Sequence, residues 1–310
     1  MSRRSQRVLV GVGVILAVAA AGVVVPAWLS SGGGSAVGTG RLVPAASSRT
    51  PSPPPRGALL LAGEAGSRAV ALAVEQGSRP RLTATVLSGS GDAESGLSVS
   101  FRVGATLLRA RSCGPGCYRA GAPARARRVE VLLPGGPVLF RLPVATSPAA
   151  GIVKRATRVF NRLSSLVYVE SLRSGPTGGL LTTWRLVAPD RLSYQIRGGG
   201  AAVVIGRRRW DQNSPGGSWV RSSQIPALQV PQPTWDGVTT NARLLGTSRV
   251  GGHSVWIVSF ANPTIPAWFT AWIDRRSYRT LQLRMTAAAH FMFHRYVAFD
   301  RPVRIEPPKR

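Results

Sequence analysis

The chain has 310 residues, with 40 Lys or Arg against 12 Asp or Glu and a formal net charge of +28. A hydrophobic content of 44% and a charged content of 17% exclude a disordered chain and leave room for two domains with their own cores. The charge favours anionic head groups, yet no dense basic run alternates with aromatics along one face, so nucleic acid is not an expected partner.

Only Lys154 and Lys309 are lysines, and an arginine bias with so much Ala, Gly and Pro fits a GC-rich coding background. At the N-terminus Arg3, Arg4 and Arg7 precede an uncharged apolar stretch from Val8 to Leu29. About 20 apolar residues span a membrane as a helix, longer than the roughly 7–15 of a signal-peptide core. Residues 1–31 therefore read as a single-pass anchor, with a cleaved signal segment as the alternative. The arginines stay cytoplasmic and the bulk of the chain is extracytoplasmic, or secreted if the segment is cleaved. No cysteine lies near this segment, which excludes a lipobox-type lipid anchor. Residues 32–57 are a Gly/Ser/Pro linker, since a run such as S-P-P-P-R makes neither helix nor central strand.

Residues 58–145 read as short strands divided by Gly and Pro turns, at Leu59–Ala62, Ala69–Val74, Arg81–Leu87, Leu97–Val103 and Val129–Leu133. That spacing suggests an immunoglobulin-like β-sandwich closed by Val138-Leu-Phe-Arg-Leu. Cys113 and Cys117, in C-G-P-G-C-Y, flank a Pro-Gly turn, so an exported chain is expected to join them in a small hairpin disulfide. A copper site on the same pair is the sharper alternative, but no His or Met lies near it.

In residues 146–310 the period changes. Ile152, Val153, Ala156, Val159, Phe160, Leu163, Leu166 and Val167 recur at helical spacing, predicting an amphipathic helix over 149–167 with Ser147-Pro148 as its start. Strands follow at Leu180–Leu186, Arg191–Arg197, Ala201–Ile205, Arg209–Asp211, Trp219–Arg221, Ser254–Phe260, Trp268–Asp274, Thr280–Thr286 and Ala289–Phe299. Leu192/Tyr194/Ile196 and Leu281/Leu283/Met285 alternate with polar residues, so one face is apolar and the other wet. The Pro-rich excursion from Gln224 to Gly246 is too long for a hairpin turn and reads as a lid or a short helical cover. Trp268 and Trp272 fall on one face of their strand and Phe269, Ala271 and Ile273 on the other, so this sheet needs cover on both faces or carries a ligand.

Four motifs stand in order here: W-R-L-V-A-P-D-R-L-S-Y from Trp184, A-V-V-I-G-R-R-R-W from Ala202, W-F-T-A-W-I-D-R-R-S-Y-R-T from Trp268, and the closing H-R-Y-V-A-F-D-R-P-V-R-I-E-P-P from His294. On these, the stretch from Thr146 to Pro308 resembles the LolA/LppX-type lipoprotein-carrier fold. The resemblance implies a mainly β fold, a curved antiparallel half-barrel wrapped on the amphipathic helix around an apolar cavity. It implies binding of a lipid or lipoprotein acyl chain without catalysis. Phe160, Leu163, Trp184, Leu186, Tyr194, Val203, Trp256, Trp268 and Phe291 would line that cavity. More loosely, residues 58–144 are similar to the extracytoplasmic sandwich of actinobacterial CopD-like copper-resistance proteins.

His290, Met292 and His294 alternate on the last strand and are ligand types that copper accepts. The plain alternative is a strand tolerant of polar residues on one face, and His253 in V-G-G-H-S-V reads as a turn residue. No G-x-S-x-G, no H-E-x-x-H and no phosphate-cradling Gly loop followed by Lys is present, and the acids sit mostly beside Pro, Arg or turns. The expectation is a tethered binding protein with no cofactor. The alternatives are an envelope-stress sensor that signals to a protein partner, and a copper-homeostasis accessory.

Overall fold

The computed structural model describes residues 50–77, 80–123 and 126–309. The anchor or signal segment and most of the linker lie outside the described residues. No helix among the described residues is long and apolar enough to cross a membrane.

The first lobe is a sandwich of two antiparallel sheets. One sheet is built from β1 (Leu59–Ala65), β2 (Arg68–Glu75), β3 (Arg81–Leu87), β6 (Arg111–Gly114) and β7 (Cys117–Gly121), in the order β1-β2-β3-β7-β6. The other holds β4 (Ser100–Val103), β5 (Thr106–Arg109), β8 (Arg128–Leu132) and β9 (Val138–Arg141), in the order β5-β4-β8-β9. Leu72, Leu82, Val86, Phe101, Val129 and Val131 fill the space between them. An immunoglobulin domain would order its first sheet A-B-E-D. Here β1, β2 and β3 form a consecutive meander, so the sandwich departs from the expected strand order.

The second lobe is a 12-stranded antiparallel sheet and one helix. Its strands are β10 (Ser147–Pro148), β11 (Ser165–Arg173), β12 (Leu180–Val187), β13 (Arg191–Ile196), β14 (Ala201–Ile205), β15 (Arg208–Gln212), β16 (Val220–Ser223), β17 (Thr240–Val250), β18 (His253–Asn262), β19 (Ala267–Asp274), β20 (Thr280–Ala287) and β21 (His290–Phe299). Their order is β10-β17-β18-β19-β20-β21-β11-β12-β13-β14-β15-β16. Consecutive strands pair as hairpins except where the short β10 joins β17 and where β11 joins β21, which brings the start and the end of the lobe together. The β17–β18 hairpin turns on Gly251-Gly252, whose φ values of 55° and 84° are the left-handed pair a two-residue turn requires.

Helix α1 spans Ala150–Phe160 and buries Val153, Ala156 and Phe160 against the sheet. It is shorter than the predicted 149–167. After Asn161 the chain turns, and Ser165–Arg173 becomes the strand that joins β21 to β12. Leu163 and Leu166 continue the helical spacing by coincidence, while Val167-Tyr168-Val169-Glu170 carries the alternation of a strand. Ser164 fixes the changeover: its N–H and hydroxyl both donate to Asp300 Oδ1, at 2.8 and 3.0 Å. Ser147-Pro148 pairs with β17 instead of capping the helix. The excursion expected from Gln224 to Gly246 divides in two, an irregular strap over 224–239 and the long strand β17.

The lobes pack face to face. Ala58, Leu60, Ala69, Ala71 and Ala73 of the sandwich meet Ala261, Trp268 and Phe291 on the outer face of the curved sheet. Asn241 Nδ2 donates to the carbonyls of Pro55 and Ala58 at 2.7 and 3.1 Å, and Arg173 pairs with Glu64 across the same junction. Part of the expected linker, Pro55 to Gly57, is thereby seated on the second lobe.

Candidate functional site: the concave face of the curved sheet

Strand alternation sends one set of side chains from every strand toward α1. Across β13, β12, β11 and β21 these include an aromatic row: Tyr194 lies 4.9 Å from Trp184, Trp184 stacks on Tyr168 at 5.9 Å, and Tyr168 meets Tyr296 at 5.4 Å between ring centroids. The row continues edge-on through Phe160 of the helix at 5.7 Å, to Trp235 at 5.4 Å and Phe260 at 6.2 Å, and ends in Phe269, stacked on Phe260 at 5.2 Å. Offset and edge-to-face pairs of this kind contribute about 0.5–1.5 kcal/mol each beyond their buried area.

The strap closes one end of this face. It buries Leu228, Val230 and Trp235, and its backbone reaches the hairpin ends through Leu228 N–H to Gly206 O at 3.0 Å and Val230 N–H to Pro189 O at 2.8 Å. Trp235 lies against the helix, with its indole N–H donating to Thr157 Oγ1 at 2.9 Å. No regular element covers this end; a few hydrogen bonds and three apolar side chains do.

One polar couple is embedded in the apolar wall. The register of β11 and β21 sets Glu170 directly opposite His294, and both are buried. His294 Nε2 lies 2.7 Å from Glu170 Oε2, and its Nδ1 lies 3.2 Å from the Tyr296 hydroxyl. Burial pushes the Tyr168 and Tyr296 hydroxyls well above the ordinary range, and the Glu170 carboxylate adds to this, so both stay neutral donors. Beside them the Trp184 indole N–H is buried without a hydrogen-bond partner, a group that costs about 1–3 kcal/mol when left unmade. At the far edge Arg209 grips Asp211 through two bonds of 2.7 and 2.6 Å. Burial raises the nearby Tyr194 hydroxyl, against the pull of Arg209. The concave face is thus a packed apolar core with several fixed donors and a paired acid.

Of the residues read from sequence, Phe160, Leu163, Trp184, Leu186 and Tyr194 come together in this core. Trp256 packs on its margin, 5.1 Å from Tyr278. Three face the other way. Val203 lies between Ala202 and Val204, which take the inward positions. Trp268 and Phe291 have the opposite parity to Phe269 and Met292 and are buried under the sandwich. The strand apolar on both faces is therefore covered on its outer side by the other lobe. Tyr168 and Glu170 were missed because no strand was assigned after the helix read to Val167, and Tyr296, on the predicted last strand, was given no site role. An acid following Val167-Tyr168-Val169, in a chain with so few acids, was the available signal.

His290 is exposed, with Nδ1 3.0 Å from Ala288 O, whereas both ring nitrogens of His294 are engaged. Met292 packs on the core. Among the described residues no three His, Cys, Asp or Glu side chains are grouped to hold a metal ion. His253 opens β18, 3.1 Å from Asp274. Cys113 and Cys117 form the disulfide, with Cα atoms 5.0 Å apart. The turn between them depends on Gly116, at φ 60°, where a Cβ would stand 2.7 Å from Val86 O.

No protein-family model matches the chain. No curated protein matches it either. Among solved structures it is similar to the lipoprotein LppX of Mycobacterium tuberculosis, at 13% identity over 50% of this chain and 97% of that one, with a TM-score of 0.39. It is also similar to LprF of Mycobacterium bovis, at 13% identity over 52% and 96%, TM-score 0.39. A LolA superfamily protein of Nitrosomonas europaea matches at 14% identity over 52% and 96%, TM-score 0.26.

Proposed function

We propose that the chain is an exported, membrane-tethered binding protein that takes an acyl chain of a lipid or lipoprotein onto the concave face, without chemistry. The observation that carries the reading is how that face is closed. A continuous aromatic wall is covered at one end by the 224–239 strap, an irregular segment held by a few hydrogen bonds and not by strand pairing. An acyl chain takes the place of Leu228, Val230 and Trp235, and each CH₂ it buries contributes about 0.8 kcal/mol. The unpartnered Trp184 indole N–H and the neutral tyrosine hydroxyls suit an ester carbonyl at the end of the chain. The tether is the apolar stretch from Val8 to Leu29.

Trp235→Ala tests this, because it loosens the strap and removes only the strap's own ring from the row, leaving those of the sheet and helix in place. A fluorescent fatty acid is expected to bind the protein at one site per chain and to bind this variant at least tenfold more tightly. Absence of saturable binding, or equal affinity in the two proteins, would overturn the reading.

A further inference from the structure

The sandwich carries a second concavity, remote from the curved sheet. It is an open groove of about 640 Å³ lined by Arg81, Arg109, Arg111 and Arg119, with Leu107 and Cys113 among its other residues. The four guanidinium groups come from β3, β5, β6 and β7, so both sheets contribute to one electropositive trough. Arg81 pairs with Glu75 at 2.8 Å and Arg119 donates to Thr83. Arg109 and Arg111 are exposed and have no ion pair among the described residues. Leu107 is 61% exposed, an apolar side chain standing among the cations.

The place where the chain enters the fold gives this groove an orientation. The described chain begins at Thr50, and Ser52 N–H donates to Pro115 O at the tip of the β6–β7 hairpin, two residues from Cys113 in the groove. Gly114 sits so close to the Ser52 side chain that a Cβ there would collide with it. The disulfide and this contact fix the incoming segment at the end of the arginine groove. Residues 30–51 alone separate Ser52 from the apolar stretch ending at Leu29. The groove is therefore held within reach of the membrane, at most about 75 Å along a fully extended linker.

We propose that this groove is a docking surface for the anionic face of the membrane to which the chain is tethered. Lipid phosphates seat between Arg109 and Arg111, and Leu107 enters the head-group layer. Basic side chains at an anionic surface add to one another, whereas the same groove over a zwitterionic surface gains little. The proposal depends on the membrane tether and is independent of acyl binding on the concave face.

The test is hydrogen exchange of the full chain in nanodiscs of phosphatidylcholine, with and without phosphatidylglycerol. Failure of the chain to enter nanodiscs would strike the tether and so is distinct from failure of the groove. Residues 106–121 are expected to exchange more slowly on the anionic discs, and the difference is expected to vanish in high salt. Arg109→Ser combined with Arg111→Ser is expected to lower the docked-to-free ratio roughly 30-fold, at about 1 kcal/mol per arginine and 1.4 kcal/mol per tenfold. Unchanged exchange of β18 and β19 would show that the variant is folded. Equal exchange on the two kinds of disc, or full protection in the double variant, would overturn the proposal. So would the same protection on neutral discs from added inorganic phosphate or a single-stranded oligonucleotide.

Discussion

The two faces of the curved sheet are both buried, but by different means. The concave face is filled mostly by large side chains interleaved with a few alanines, because a curved surface and a single helix leave a space that small residues alone do not fill. The convex face meets the flat outer side of β1 and β2, where Ala58, Ala69, Ala71 and Ala73 let two sheets approach closely around Trp268 and Phe291. A surface of small residues specifies one neighbour and admits little else. A surface of rings under an irregular strap can exchange its contents. The proposed binding rests on the concave face, and the close packing of the two lobes on the convex one.

The largest effect that breaks this contrast is expected from Trp235→Ala. It should lower unfolding stability by about 3–5 kcal/mol, read by chemical denaturation, as for other buried Trp truncations. A loss below 1 kcal/mol would mean that the strap is not part of the core. Glu170→Ala comes next, at about 3 kcal/mol, since it leaves His294 buried with a lost partner. Ala71→Leu should cost about 1–3 kcal/mol by overpacking the junction between the lobes. If it is neutral, the alanine face is not close-packed.

Tyr296→Phe should cost about 1 kcal/mol through the contact to His294, and it sharpens a pH argument. The Tyr168 and Tyr296 values are raised in the fold above 10.0, so the stability they contribute is full below pH 10 and is lost as pH rises beyond it. The variant should therefore show a shallower alkaline loss than the parent. The smallest effect is at the acid end. Burial alone would raise Asp274 and Asp300, but hydrogen bonds from Ser277 and Ser164 outweigh it and hold both below 3.8. Their contribution is present above pH 3.8 and is lost as pH falls through the lower, folded value. Asp300→Asn should flatten that acid decline in a pH series of thermal melts.

Much of the second lobe was legible because strand alternation is a local signal. Leu192/Tyr194/Ile196 and Phe269/Ala271/Ile273 were assigned a common face, and each trio sits together in the core. The inward side of a strand that is apolar on both faces was not legible. Trp268 and Phe291 read as cavity residues, since nothing in their own strands announces that alanines about two hundred positions earlier lie against them. Helix α1 was placed correctly at its start and overrun at its end, because Leu163 and Leu166 keep helical spacing while belonging to a turn and a strand. That overrun hid the start of β11 and left residues 168–173 without a strand, and with them the Glu170–His294 couple, which exists only through the pairing of β11 with β21. The disulfide was readable because the Pro-Gly turn between its cysteines is itself a short-range device.

The most direct test of the account is native mass spectrometry of the full chain extracted gently from the membranes of the cells that make it, with lipid analysis of the same sample. The account predicts an acyl-bearing species at close to one per chain, lost when the 224–239 strap is opened in detergent. A clean unliganded mass, with no lipid recovered, would contradict the claim that the concave face is a binding site.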